Sequence, residues 1–241
     1  MTLSQGAWRN FLLLMLCLTA GIVDVIGFLE LGHVFTANMT GNIVLLGMAI
    51  GQSQELAVLR ALVALIGFMA GNVAGAVIIG TGSKKEFWAR KVTMILTLEC
   101  MILLAFSIVF RLIGAEGLTV YALIALLSCA MGLQTTAARK LSIASITTTV
   151  LTSTLTHMVE DTVAVLRHLR KRRLDQALPY AVMTGESILR VTALAVYLIG
   201  AIAGALTFNL QLSFMIWIPA ILLGGVVIMA YMRFHRQQLE Q

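Results

Sequence analysis

The chain has 241 residues, 59% of them hydrophobic and 12% charged, with a mean hydropathy of +0.95. That composition excludes a soluble domain; at roughly 20 apolar residues per crossing it leaves room for about six or seven membrane helices and none for a separate soluble domain. The net charge of +6 does not point to nucleic acid, because the basic residues gather in the gaps between apolar runs, which is the positive-inside pattern.

In chain order, Arg9 and the apolar run behind it resemble a signal-peptide start, but no small-residue cleavage site leads into a soluble chain, so a retained first span over Phe11–Leu29 is expected. Five further spans read as Leu56–Ile79, Val92–Ile113, Leu118–Ala138, Ile188–Phe208 and Phe214–Met232. Between them lie Glu30–Gln52 and Arg139–Leu166, too rich in Thr, Asn, Ser and Gly for a lipid-facing helix and too apolar for a solvated loop. Arg9, Lys84, Lys85, Arg90, Lys91, Arg139, Lys140, the Arg167–Arg173 run, Arg233 and Arg236 all share the cytoplasmic side if both segments are re-entrant, the first from the outer face and the second from the inner. The competing topology lets each segment cross as a broken span and places Lys84, Lys85, Arg90 and Lys91 outside. The expected class is an all-α polytopic membrane protein of about six transmembrane helices plus two broken strand and half-helix segments.

The re-entrant topology makes residues 1–116 and 117–241 two inverted repeats. An offset of 111 (132 − 21) carries Gly21 to Gly132 and the string at Phe35 to Ile146, and an offset of 129 (197 − 68) aligns Phe68–Ala76 with Tyr197–Ala205. Gly and Ala at four-residue spacing in the latter pair also suit helix packing, within the chain or between copies in a homo-oligomer.

Polar groups at membrane depth are tolerated only where they are buried in protein or line a wet cavity. In the first broken segment, Val34 to Ala37 suits an extended stretch and Thr40 suits the cap of a short helix to Ile50; in the second, Ile146 to Val150 is followed by a helix from Thr152 to Leu166. Two half-helix N-termini then point to the membrane middle, where free N–H groups and positive dipole ends favour an anion or a polar solute. The expected lining is Thr36, Asn38, Thr40, Asn42, Thr148, Thr149, Thr152 and Thr154. Asp24, inside the first span, is read either as a coupling carboxylate or as a packing group; Gln134 is its polar counterpart in the second half, and Glu99 is a candidate of the same kind. Glu30 with His33, and His157 with Glu160 and Asp161, read as interfacial, and Glu186 with Arg190 as an i,i+4 pair. Cys17, Cys100 and Cys129 have neither paired spacing nor nearby histidines, so no metal or cofactor is expected. No phosphate loop, nucleophile elbow or zinc-protease motif gives an enzyme any support.

The run Gly21-Ile-Val-Asp-Val-Ile-Gly-Phe-Leu-Glu-Leu-Gly-His-Val-Phe-Thr-Ala-Asn-Met-Thr-Gly-Asn-Ile-Val-Leu-Leu-Gly47 resembles the signature of the YoaK family of bacterial inner-membrane proteins, as does Gly132-Leu-Gln-Thr-Thr-Ala-Ala-Arg139 with the Thr-rich string behind it. The chain departs from that pattern at Leu151-Thr152-Ser153-Thr154, where the family more often has Thr-Gly. The resemblance implies a multi-pass inner-membrane protein and supplies no substrate. The expected function is a transporter or channel for a small polar or anionic solute, with both termini cytoplasmic. The alternative is a scaffold or sensor that acts through basic cytoplasmic loops.

Overall fold

A computed structural model describes residues 4–80, 88–141, 159, 163, 185–210 and 214–235. Among these the chain is helical, with no strand: α1 spans Gln5–Glu30, α2 Met39–Gly51, α3 Glu55–Ile79, α4 Arg90–Ile113, α5 Thr119–Lys140, α6 Gly185–Asn209 and α7 Ile218–Ala230. A 3₁₀ turn at Met215–Trp217 precedes α7 and a π-helical turn at Tyr231–His235 extends it. Six helices are long and apolar enough to cross a membrane, and α2 is a shorter apolar helix. Each expected span becomes a helix, with ends shifted by a few residues because caps and turns, not the edge of the apolar run, stop a helix. Ser4, for example, accepts the Ala7 N–H at 3.3 Å and opens α1 well ahead of Phe11.

Contacts between named residues fix the directions. Lys91 Nζ donates to the Ile79 carbonyl at 2.6 Å, so α4 starts beside the end of α3 and runs back along it. Ser107 Oγ donates to Leu103 and, at 2.9 Å, to Ile216, while Cys100 faces the Ala220 carbonyl, so α7 lies antiparallel to α4. Arg233 sits 5.4 Å from the Trp8 ring centroid, and Trp88 stacks on Phe234 at 4.9 Å. The start of α1, the start of α4 and the end of α7 therefore share one end of the bundle. This end carries Arg9, Arg90, Lys91, Arg139, Lys140 and Arg233 and is called the basic end below.

The first broken segment is re-entrant. Gly32 (φ +86°), at the far end of α1, lies so close to Arg60 that an added Cβ would stand 2.4 Å from its guanidinium. Arg60 belongs to the second turn of α3, so α3 starts at the end where α1 finishes; between them residues 31–38 go in as far as Asp24 and α2 comes back. The crossing alternative, with Lys84 to Lys91 at the opposite face, is excluded for this segment. Its approach is not a strand: residues 31–38 are turns and bends, because their N–H groups bond to side chains of α1 and α2 and not to a neighbouring extended chain.

Lipid offers no hydrophobic drive for helix association, so close approach of small residues sets the packing. An added Cβ on Gly21 would lie 2.2 Å from the Tyr197 carbonyl oxygen, and one on Gly200 2.4 Å from that of Leu18, which presses α1 against α6; Cys17 packs with Leu189 and Ala193 while Gly204 faces Val25, so the two helices run in parallel. The same holds for α5 on α3: an added Cβ would lie 2.2 Å from Phe68 O at Gly132 and 2.1 Å from Cys129 O at Gly71. The parallel pairing of α1 with α6 brings the start of α6 to the basic end, where α5 finishes, so Leu141 and Gly185 lie at the same end of the bundle. The Gly/Ala faces at Gly71–Gly75 and Gly200–Gly204 are thus filled within the chain. The apolar residues left outward, such as Ile66, Met69, Ile199 and Ile202, suit a lipid surface.

Candidate functional site

Asp24 organises the broken segment. It is buried, and its Oδ1 accepts the backbone N–H groups of Thr36 at 2.8 Å, Ala37 at 2.6 Å and Asn38 at 3.4 Å. Its Oδ2 accepts the hydroxyl of Tyr197 on α6 at 2.6 Å. The returning chain can reach this depth because Gly27 has no side chain: an added Cβ would stand 2.7 Å from Val34 O and 3.0 Å from the Thr36 methyl. Three converging backbone N–H groups would otherwise be orphaned far from water, and a carboxylate is the acceptor that satisfies them with one side chain.

Asn42 closes the loop from the other side. Its Oδ1 accepts the Phe35 N–H at 2.9 Å and its Nδ2 donates to the Phe35 carbonyl at 2.5 Å, a two-way clamp on the backbone of one residue that an amide side chain supplies. Phe35 in turn stacks on Phe28 of α1 at 5.3 Å, and His33 packs its ring against the same Phe28 at 4.9 Å. Asn38, not Thr40, is the N-cap of α2: its Oδ1 accepts the Gly41 N–H at 3.4 Å, while Thr40 lies inside the first turn.

The expected lining residues therefore divide. Thr36 and Asn42 are fully buried and spent on internal hydrogen bonds, Asn38 is half-buried and caps α2, and Thr40 is exposed. The N–H groups of residues 35 to 38 and 41, expected to be free for a solute, are occupied by Asp24, Asn38 and Asn42. A polar chain entering the membrane must satisfy its own donors before it can offer any to a ligand. Thr148, Thr149, Thr152 and Thr154 lie outside the described residues, as do His157, Glu160, Asp161, the Arg167–Arg173 run and the Glu186 side chain.

Gln134 is not brought to Asp24. Its Nε2 donates to the Leu16 carbonyl at 2.9 Å, eight residues down α1 from Asp24 and so roughly 12 Å away along the axis at 1.5 Å per residue. Sequence reasoning missed Tyr197, whose partner is 173 residues away; the one available signal was its place at the head of the segment that aligns with Phe68–Ala76. An open cavity of about 900 Å³ at the basic end is lined by Asn72, Val73, Thr136, Arg139 and Lys140 among others, and Thr136 Oγ1 donates to Asn72 Oδ1 at 3.0 Å on its wall.

A family model described as protein of unknown function (DUF1275) matches residues 12–229. The chain is 43% identical over 233 residues to the UPF0700 transmembrane protein YoaK of Bacillus subtilis (strain 168), an alignment that covers 96% of this chain and 98% of that protein. No solved structure matches.

Proposed function

The chain belongs to the DUF1275 family, and we propose that it moves a small polar or anionic solute across the membrane as a transporter or channel. The observation that carries this reading is the re-entrant segment itself. A protein that only had to span or to hold a partner has no use for turns and a half-helix at membrane depth, each needing buried acceptors such as Asp24 and Asn42; transporters use such broken elements to present polar groups to a solute. The basic end faces the cytoplasm of a bacterial inner membrane with both termini on that side. The cavity with Arg139 and Lys140 on its rim favours an anion there.

Two inverted repeats, 1–116 and 117–241, complete the reading. The 111 offset carries Leu18, Gly21 and Val25 to Cys129, Gly132 and Thr136, and the 129 offset carries Phe68, Gly71 and Gly75 to Tyr197, Gly200 and Gly204. The close contacts obey both: Gly21 on Tyr197 matches Gly132 on Phe68, Gly200 on Leu18 matches Gly71 on Cys129, and Gly204 on Val25 matches Gly75 on Thr136. The paired helices run in opposite directions in the two halves. Thr148, Thr149, Thr152 and Thr154 of the Thr-rich string complete the proposed lining from the second half, and Asp24 and Gln134 supply polar groups in the two halves.

The test is release of entrapped small anions and neutral polar solutes from vesicles that contain the purified protein. The native protein accelerates loss of at least one of them, and Thr40→Ala, which alters an exposed hydroxyl of α2 without touching the internal clamp, slows it several-fold. Equal rates for native and T40A with a transported solute would remove Thr40 from the path, and no transport across the panel would count against the function.

A further inference from the structure

We propose that Glu99 is a proton-binding carboxyl near the middle of the membrane. Glu99 has no solvent exposure, and neither of its carboxyl oxygens has a hydrogen-bond partner. It lies on the buried stripe of α4, between Leu96 and Leu103, that packs on α5. Counting along the two antiparallel helices from the turn that joins them, Glu99 and Gln134 lie at about the same depth, roughly 21 and 22 Å down at 1.5 Å per residue. Gln134 uses its Nε2 on Leu16 and leaves its buried Oε1 without a donor, and the buried Ser128 hydroxyl on the same helix also lacks a partner. Glu99, Gln134 and Ser128 thus carry buried oxygens that have, among the described residues, no donor assigned to them.

The charged groups on the packed helices do not neutralise Glu99. Arg9, Arg90, Lys91, Arg139, Lys140 and Arg233 belong to the basic end, and Arg111 of α4 with Glu55 and Arg60 of α3 to the opposite one. Asp24 of α1 is held by residues 36–38 and Tyr197, and Cys100 turns to the Ala220 carbonyl. A bare carboxylate in this setting is a costly species. A metal cation demands several converging ligands, whereas a proton needs none beyond the carboxyl and supplies the O–H that an acceptor such as Gln134 Oε1 lacks. Asp24 and Glu99 thus differ in kind: the first is saturated by fixed donors, the second has no partner but the proton it takes. That this proton drives solute movement rests on the reading above; that Glu99 binds it does not.

The experiment uses the full-length protein in lipid vesicles and dicyclohexylcarbodiimide, an apolar reagent that adds to a protonated carboxyl within the bilayer. The acid proton passes to one reagent nitrogen and the acyl group ends on the other as a stable N-acylurea, with nothing lost. Mass mapping is expected to find the label on Glu99 in native protein and in Asp24→Asn, absent from Glu99→Gln, and falling several-fold as pH is raised. The infrared carbonyl band of a protonated carboxyl is expected to be lost in E99Q and to shift in D₂O. Absence of both the label and the band from the native protein, label that does not change with pH, or protection by Na⁺ at constant pH each overturns the proposal. Because no solute is needed, failure here is separable from failure of the transport reading.

Discussion

The Tyr197 hydroxyl donates to Asp24 Oδ2 at 2.6 Å, while the other oxygen of the same carboxylate holds the backbone of residues 36 to 38. One carboxylate thus joins three parts of the chain: α1, which carries it, the re-entrant turn, and α6. The position of the turn is set by α6 as much as by its own sequence.

Removal of either partner is expected to cost stability, unequally. Tyr197→Phe deletes one donor to a buried charged acceptor, about 1.5–3 kcal/mol. Asp24→Ala orphans three backbone N–H groups and the tyrosine hydroxyl and is expected to cost more than Tyr197→Phe, whereas Asp24→Asn keeps an acceptor for the backbone and falls between. Thermal unfolding in detergent gives the order; Y197F as damaging as D24A would show that the backbone bonds contribute little.

Asn42 is expected to tolerate no replacement. Asn42→Asp removes the donor to Phe35 O and puts a negative oxygen against that carbonyl, and Asn42→Ala leaves the backbone N–H and C=O of Phe35 unpaired, at about 1–3 kcal/mol for each buried group. Protease cleavage between Leu31 and Thr40 in vesicles should rise in both variants and remain at the native level in Thr40→Ala.

Glycine substitutions separate packing from helix propensity. Gly21→Ala and Gly132→Ala force a methyl group to 2.2 Å from a facing carbonyl oxygen, so both are expected to reduce folded yield sharply and to similar extents. Gly47→Ala meets nothing within 4 Å and is expected to stabilise by about 0.5–1 kcal/mol through helix propensity alone. Fluorescence size-exclusion profiles after heating measure all three.

Single cysteines placed in a background lacking Cys17, Cys100 and Cys129 test the topology. Gln52→Cys and Glu116→Cys should react with an impermeant maleimide from one side of the membrane, and Ser4→Cys and Arg90→Cys from the other. Labelling of Ser4 and Gln52 from one side and Arg90 from the other would contradict the re-entrant segment.

The six spans and the polar interruption at Phe35 to Asn42 are legible in the sequence because both record a local demand. A lipid-facing helix must be apolar over its whole length, and a run broken by Thr, Asn and Gly cannot meet that demand. The importance of Asp24 was equally plain, since a carboxyl at that depth needs a reason. The role of Thr40 as a cap was misread because Asn38 and Thr40 both suit a helix start, and only the backbone path chooses between them.

The sequence by itself determined the class of the protein, the places where its helices cross and the one end that collects the basic charge. Only the tertiary structure decided that α2 turns back, that the glycine faces are filled by α1 and α5 of the same chain, that Asp24 is saturated by residues 36 to 38 and Tyr197, and that Glu99 is not. Hydropathy is a property each residue carries alone, so it can be read along the chain. A hydrogen-bond partner 173 residues away, or an unmet one, depends on where two helices come to rest against each other.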